Sequence, residues 1–181
     1  MADLYLNNNK KPVVISVVST KSGMGKTTLI EGLIRIFKHK DLKVGVLKHD
    51  AHKFDIDKEG KDSYRFSKAG ADNVIVASSE KLAMIQILKE EKTVEEILPL
   101  FNNMDLVIIE GFKNNNYPKI EVHRRDVDEN LLYNNPSYNK ETYLAIASDE
   151  DLDTSIPVLD LNNLTSIGEF IEVKFLNTLD L

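Results

Sequence analysis

The chain has 181 residues, enough for one domain with a sizeable core. Hydrophobic residues make up 42% and charged residues 29%, the balance of a globular chain and not of a disordered or membrane-spanning one. The formal charge of −6 argues against nucleic-acid binding through a general basic surface, and the absence of cysteine excludes disulfides, cysteine–zinc sites and thiol nucleophiles.

Residues 1–11 read as a flexible start, without the cationic and apolar segments of a signal peptide. No apolar run approaches the roughly 18–20 residues that span a bilayer, so a cytoplasmic, membrane-free protein is expected. The first strand is predicted at Val13–Val18, a β-branched run that suits burial on both faces in a parallel sheet. It leads into Thr20-Lys21-Ser22-Gly23-Met24-Gly25-Lys26-Thr27-Thr28. An amphipathic helix follows, with Leu29, Ile30, Leu33, Ile34 and Phe37 on one face. Strands are then expected at Val44–Lys48 and Asn73–Ala77, with a helix from Asp62 to Gly70 between them. Leu82–Leu88 is ambiguous between strand and helix. Thr93 and Glu96 form a capping box. Leu106–Ile109 is a buried strand ending on Glu110-Gly111, and Lys119–His123 alternates like a later, edge strand. Tyr143–Ala147 and Ile156–Leu159 complete the strands, and Asn162–Leu176 the closing helix. Strands alternating with helices predict an α/β protein, a three-layer P-loop NTPase fold whose mainly parallel sheet is flanked by helices. No linker divides the chain, so residues 1–181 read as a single domain.

The glycine loop carries the clearest chemistry. Glycines let successive N–H groups converge on phosphate oxygens, and the helix start adds its positive dipole end. In that arrangement Ser22, Gly23, Met24 and Gly25 line the phosphates and Lys26 reaches the β- and γ-phosphates. Thr27 ligates Mg²⁺, and Thr28 reaches the α-phosphate. Thr20 stands where the full G-x-x-x-x-G-K-[ST] pattern has its first glycine. Lys21 gives the loop a partial resemblance to the deviant P-loop of MinD- and ParA-type dimeric ATPases, in which a second lysine crosses to the partner's nucleotide. A solvent-facing lysine is the alternative.

Glu110, directly after an apolar strand, is suited to hold the metal through water or to orient an attacking water. Lys48, His49 and Lys113 lie at or beyond strand ends, where ligands of open α/β sheets bind. His49, His52, Asp55 and Asp57 invite a metal reading, but their spacing matches no metal signature. A loop that orders around nucleotide is favoured. Arg124-Arg125 reads either as a source of a transition-state arginine or, preferably, as an exposed pair on an edge strand.

Four segments together resemble the MobB family, the nucleotide-binding proteins of molybdopterin-guanine dinucleotide biosynthesis. They are the Ser22–Thr28 loop, the run Leu47–Arg65, Lys68-Ala69-Gly70-Ala71, and Glu110-Gly111-Phe112-Lys113; Lys119–Arg124 also follows the pattern. The resemblance implies GTP and Mg²⁺ as cofactors, feeble GTP hydrolysis and a homodimer. It also implies assistance to MobA, the guanylyltransferase that joins GMP to molybdopterin, with molybdopterin itself a further candidate ligand. Carried over by residue, Glu110 is the Walker B acid, catalytic together with Lys26, and Asp62 and Ser63 lie near the metal or the γ-phosphate. Asp149, or alternatively Asp160, accepts hydrogen bonds from guanine, although no N-K-x-D element is present. The competing readings are a P-loop small-molecule kinase, a MinD-like ATPase switch and a GTP-dependent metal-insertion chaperone. The chain lacks, respectively, the arginine-rich lid, the basic amphipathic tail and the histidine- or cysteine-rich relay that would favour them.

Overall fold

The β-branched run Val13–Val18 forms the first strand, β1, and Ile15, Val17 and Val18 are wholly excluded from solvent. The computed structural model describes residues 11–50 and 56–176. After β1 come helix α1 (Lys26–Lys38), strand β2 (Val44–Lys48), helix α2 (Asp62–Lys68), strands β3 (Asn73–Ala77) and β4 (Leu82–Gln86) and the one-turn helix α3 (Val94–Ile97). Strands β5 (Leu106–Glu110), β6 (Lys119–His123), β7 (Tyr143–Ser148) and β8 (Val158–Asp160) follow. Helix α4 (Leu164–Ile171) closes the order and runs on as a π-helical turn, Glu172–Leu176. By its contacts the chain groups into two compact units. One holds the described residues up to His49 and from Leu98 onward, and the other runs from Asp50 to Ile97.

The first unit is built on a six-stranded sheet in the order β2-β5-β1-β6-β7-β8, with every neighbouring pair parallel. On one face Ile15 and Val17, Leu106 and Ile108, and Ile120 and Val122 pack with Leu29, Leu33 and Phe37 of α1 and with Ile167 and Ile171 of α4. The apolar stripe that predicts α1 is therefore the stripe that seals the sheet. On the other face Val18, Tyr143 and Ile146 pack with Leu132 and Tyr133 from a 3₁₀ turn between β6 and β7.

Strand β6 is not the edge strand that its alternation suggests. It lies between β1 and β7, and all five of its residues are buried. Ile120 and Val122 join the core, while the polar residues of the opposite face each find partners. Lys119 donates to the carbonyl and side-chain oxygens of Asn115, to Tyr117 O (3.0 Å) and to Thr142 Oγ1 (3.1 Å). The Glu121 carboxyl accepts from the N–H groups of Leu132 (2.6 Å) and Tyr133 (2.9 Å). His123 Nε2 lies 3.0 Å from Glu150. Burial lowers the Lys119 ammonium to about 8 and raises the Glu121 carboxyl. Alternation here marks two buried faces, one apolar and one hydrogen-bonded.

In the second unit β3 and β4 pair antiparallel as a two-stranded sheet of their own, in register from Asn73↔Gln86 to Ala77↔Leu82, and α2 packs on β3. The ambiguous Leu82–Leu88 segment thus resolves as a strand over Leu82–Gln86. The capping box forms as predicted: Thr93 N donates to Glu96 Oε2 (2.8 Å) and Glu96 N to Thr93 Oγ1 (3.3 Å). Ile75, Val76, Leu82 and Met84 remain exposed on the hairpin. Among the described residues no helix is long and apolar enough to cross a membrane.

Candidate nucleotide-phosphate site

At the carboxyl end of β1 the chain turns through the glycine loop into α1. Gly23 and Gly25 both have left-handed backbone, φ +80° and +97°, a region costly for a residue with a Cβ. Gly25 is the residue before α1 and provides no side-chain cap, so the first-turn N–H groups are left for another acceptor. The loop is tied across its base. Ser19 Oγ donates to Lys21 O (2.7 Å), Lys26 Nζ donates to Ser19 Oγ (2.8 Å) and Lys21 O (3.3 Å), and Lys113 Nζ donates to Thr20 O (2.9 Å). Met24 is the loop's buried anchor, wholly excluded from solvent in the core beneath α1.

Two further strand ends converge here, because β5 lies between β1 and β2. Glu110 is in register with Val17 on one side and Lys48 on the other. Thr27 Oγ1 donates to Glu110 Oε1 at 3.4 Å. Lys26 is held below the usual lysine range, first by burial and then by the like charges of Lys113 and Lys48, with Glu110 opposing. Three ammonium groups near one carboxylate form a locally cationic site on an acidic protein. Sequence reasoning places Lys26, Thr27, Glu110, Lys48 and Lys113 at such a site, and the folded chain brings them together.

The segment after Glu110 is sharply bent. Gly111 has φ +90° and Phe112 φ +48°, and the His49 ring stacks on Phe112 with centroids 4.3 Å apart. His49 N donates to Glu110 O (2.9 Å). A left-handed aromatic residue two positions after the acidic group is local strain at the site itself. His49 is thus placed beside Glu110 by stacking and a backbone hydrogen bond.

Arg124, just beyond β6, is not half of an exposed pair on an edge strand. Its guanidinium lies over the glycine loop: a Cβ built on Gly25 would come 3.4 Å from Arg124 Nε. Arg124 Nη1 is 3.6 Å from Asp149 Oδ2, whereas Arg125 turns away to Glu150 at 3.1 Å. Lys21 pairs within the same chain with Asp128 (3.5 Å) while its side chain stays largely exposed. The Asp128 carboxyl is held well below the usual range by hydrogen bonds from Asn130 and by Lys21. Sequence reasoning missed the grip of Lys113 on the loop and the roles of Arg124 and Asp128. The available signal was their position beyond strand ends of a parallel sheet.

Asp62 opens α2 in the second unit, 3.4 Å from Arg65, and Ser63 Oγ donates to Asp57 Oδ1 (2.8 Å) in the same unit. Asp160 Oδ1 accepts from Asn162 N (2.8 Å) and so holds the turn before α4. His52 and Asp55 lie outside the described residues. Among those described, no three His, Cys, Asp or Glu residues are grouped to hold a metal ion.

Comparison with known proteins gives one consistent result. The family model of molybdopterin guanine dinucleotide synthesis protein B, MobB, matches residues 14–149. The molybdopterin-guanine dinucleotide biosynthesis adapter protein of Haemophilus influenzae is 36% identical over 171 residues, covering 93% of this chain and 92% of its own. The protein of that name from Escherichia coli is 34% identical over 160 residues, covering 83% and 86%. A crystal structure of molybdopterin-guanine biosynthesis protein B aligns with a TM-score of 0.67 at 28% identity, over 90% of this chain and 99% of that one. The structure of Bacillus subtilis MobB, at 23% identity, shares the fold with a TM-score of 0.66 over 88% and 96%.

Proposed function

From the premise that this chain belongs to the MobB family, we propose that it is an adapter protein of molybdopterin-guanine dinucleotide biosynthesis that binds GTP with Mg²⁺. In this reading it serves a MobA-type guanylyltransferase that attaches GMP to molybdopterin. The observation that carries the nucleotide part is the set of cations around the uncapped start of α1. Lys26, Lys48 and Lys113 stand together beside Glu110, an arrangement that calls for a polyanion.

The donor set fits the expected groups. Thr27 and Glu110, whose oxygens lie 3.4 Å apart, would supply hard oxygen ligands of the kind Mg²⁺ takes. The ion supplies charge neutralisation at the β- and γ-phosphate oxygens. The chain's own part is positional. Lys26 leaves Ser19 Oγ and Lys21 O for phosphate oxygens, the first-turn N–H groups of α1 donate to phosphate oxygens, and Glu110 orients a water. In this reading hydrolysis is slow, as the family resemblance implies. Slow turnover suits a protein that binds, changes shape and hands over to a partner, with molybdopterin a further candidate ligand.

The family resemblance also leads us to propose a cytoplasmic homodimer. An isolated two-stranded hairpin is marginal in water, and β3–β4 exposes Ile75 (57%), Leu82 (67%) and Met84 (39%). A second copy laid on this hairpin would cover them.

Calorimetric titration with GTP and then ATP, each with Mg²⁺, tests the central claim. Preference for GTP supports the reading and leads to capture of the guanylyltransferase on immobilised protein. Equal binding of the two nucleotides removes the guanine assignment, and binding of neither removes the nucleotide one.

A further inference from the structure

Arg124 is the first residue beyond β6, at the carboxyl end of an interior strand of a parallel sheet. Its guanidinium lies against Gly25, with Nε 3.4 Å and Nη2 3.8 Å from the place a Cβ would take. Gly25 is also where α1 begins, so this cation sits at the positive end of a helix dipole, where a cation is disfavoured unless an anion joins it. The nearby anion is Asp149, at 3.6 Å across the ends of β6 and β7.

The pair is easily parted. Its side chains are 39% and 29% exposed, and at 3.6 Å the contact is longer than a charge-assisted hydrogen bond. Neighbouring charges are committed elsewhere: Arg125 to Glu150, and Lys21 to Asp128 on the turn that follows Arg124. A guanidinium at a helix start has a better partner in a phosphate, which offers more charge and two oxygens to its planar fork.

We propose that Arg124 is a ligand of the bound nucleotide's phosphate chain and exchanges partners on binding, leaving Asp149 for phosphate and releasing the Asp149 carboxylate toward the base. Phosphate capture thereby arms base recognition. The freed carboxylate accepts from guanine N1–H and N2–H₂, a donor pair that adenine lacks. The inference rests on the nucleotide-binding reading above and adds to it a residue and an order of events.

The test is calorimetric titration of the full chain with inorganic triphosphate, GTP and ATP, each with Mg²⁺, for wild type, R124A, R124K and D149N, with thermal midpoints recorded to confirm folding. R124A is expected to weaken all three ligands by about tenfold, as loss of one charge-assisted partner implies, with the GTP preference kept. R124K recovers part of that loss. D149N is expected to tighten inorganic triphosphate, because the competing carboxylate is gone, and to reduce GTP to the level of ATP. A folded R124A that binds inorganic triphosphate like wild type overturns the proposal. So does a D149N that weakens it as much as R124A, since the pair would then be a strut. Inorganic triphosphate separates the two claims: a wild type that binds it without preferring GTP loses the guanine reading, while the R124A comparison still decides the role of Arg124.

Discussion

Replacing Lys119 by methionine removes a buried charge while keeping the length of the side chain. In the folded chain Lys119 is 1% exposed and its pKa falls from 10.5 to about 8 through burial. Below pH 8 both folded and unfolded chains carry the proton, and the folded state bears the whole desolvation cost, about 3 kcal/mol for this shift. Between the folded and unfolded values the unfolded chain binds more protons, so stability rises with pH as the cost is lifted. Integrating the linkage from pH 7.5 to 9.5 gives wild type a gain of about 2 kcal/mol that the methionine variant cannot have. The variant also strips a donor from Asn115 O and Tyr117 O, at about 1–3 kcal/mol each, which more than offsets the relief at neutral pH. The expected result is a modest destabilisation at pH 7.5 that widens by about 2 kcal/mol at pH 9.5. Urea unfolding of both proteins at the two pH values measures it. Tyr143, whose buried hydroxyl is shifted upward, stays protonated in both folded proteins, and the unfolded-chain tyrosines are the same in both, so tyrosine titration cancels from the comparison. A gap that stays constant or narrows with pH refutes the reasoning.

Lys26→Ala should cost at least about a hundredfold in GTP affinity with folding intact, seen by calorimetry, because it removes the cation that ties Ser19 Oγ and Lys21 O together across the loop. Gly25→Ala forces a Cβ onto φ +97° and against Arg124. A loss of about 1–2 kcal/mol in urea unfolding is expected, together with weakened nucleotide binding. Glu96 has its carboxyl held below the usual range by the Thr93 N–H and hydroxyl. That helix support is present above pH 4.5 and is lost as pH falls through the lower folded value, and amide exchange at Glu96 in wild type against Thr93→Val reports it. Leu82→Glu should shift the sedimentation of a dimer toward monomer, and unchanged sedimentation would place the dimer contact elsewhere.

The legible features of this chain were those written in adjacent residues. Val13–Val18, the glycine loop and the Leu29–Phe37 stripe specify strand, turn and helix within one stretch, and Leu106–Glu110 signals a buried strand ending on an acid. Strand β6 was misjudged because polarity is visible in a sequence and hydrogen-bond partners are not. The groups that satisfy Lys119 and Glu121 come from Asn115 and Leu132 and only meet them after folding. The β3–β4 hairpin escaped notice because its turn has no Asn-Gly or Asp-Gly. Ser78 takes their place, accepting from the N–H groups of Glu80 (3.3 Å) and Lys81 (3.1 Å). Arg124 could not be placed over Gly25 from sequence, since that contact joins residues from opposite ends of a crossover.

The position of β1 has a consequence for the making of the protein. Its neighbours in the sheet are β5 and β6, so nothing that pairs with Val13–Val18 exists until synthesis has reached Leu106, and the strand is flanked on both sides only after His123. At ordinary translation rates that is on the order of ten seconds in which the most apolar strand and the phosphate loop leave the ribosome without their sheet. Over that interval the nascent chain depends on chaperones or on the local helix α1 to hide those side chains. Truncations ending between β5 and β6 should therefore aggregate, with the complete phosphate loop already in place.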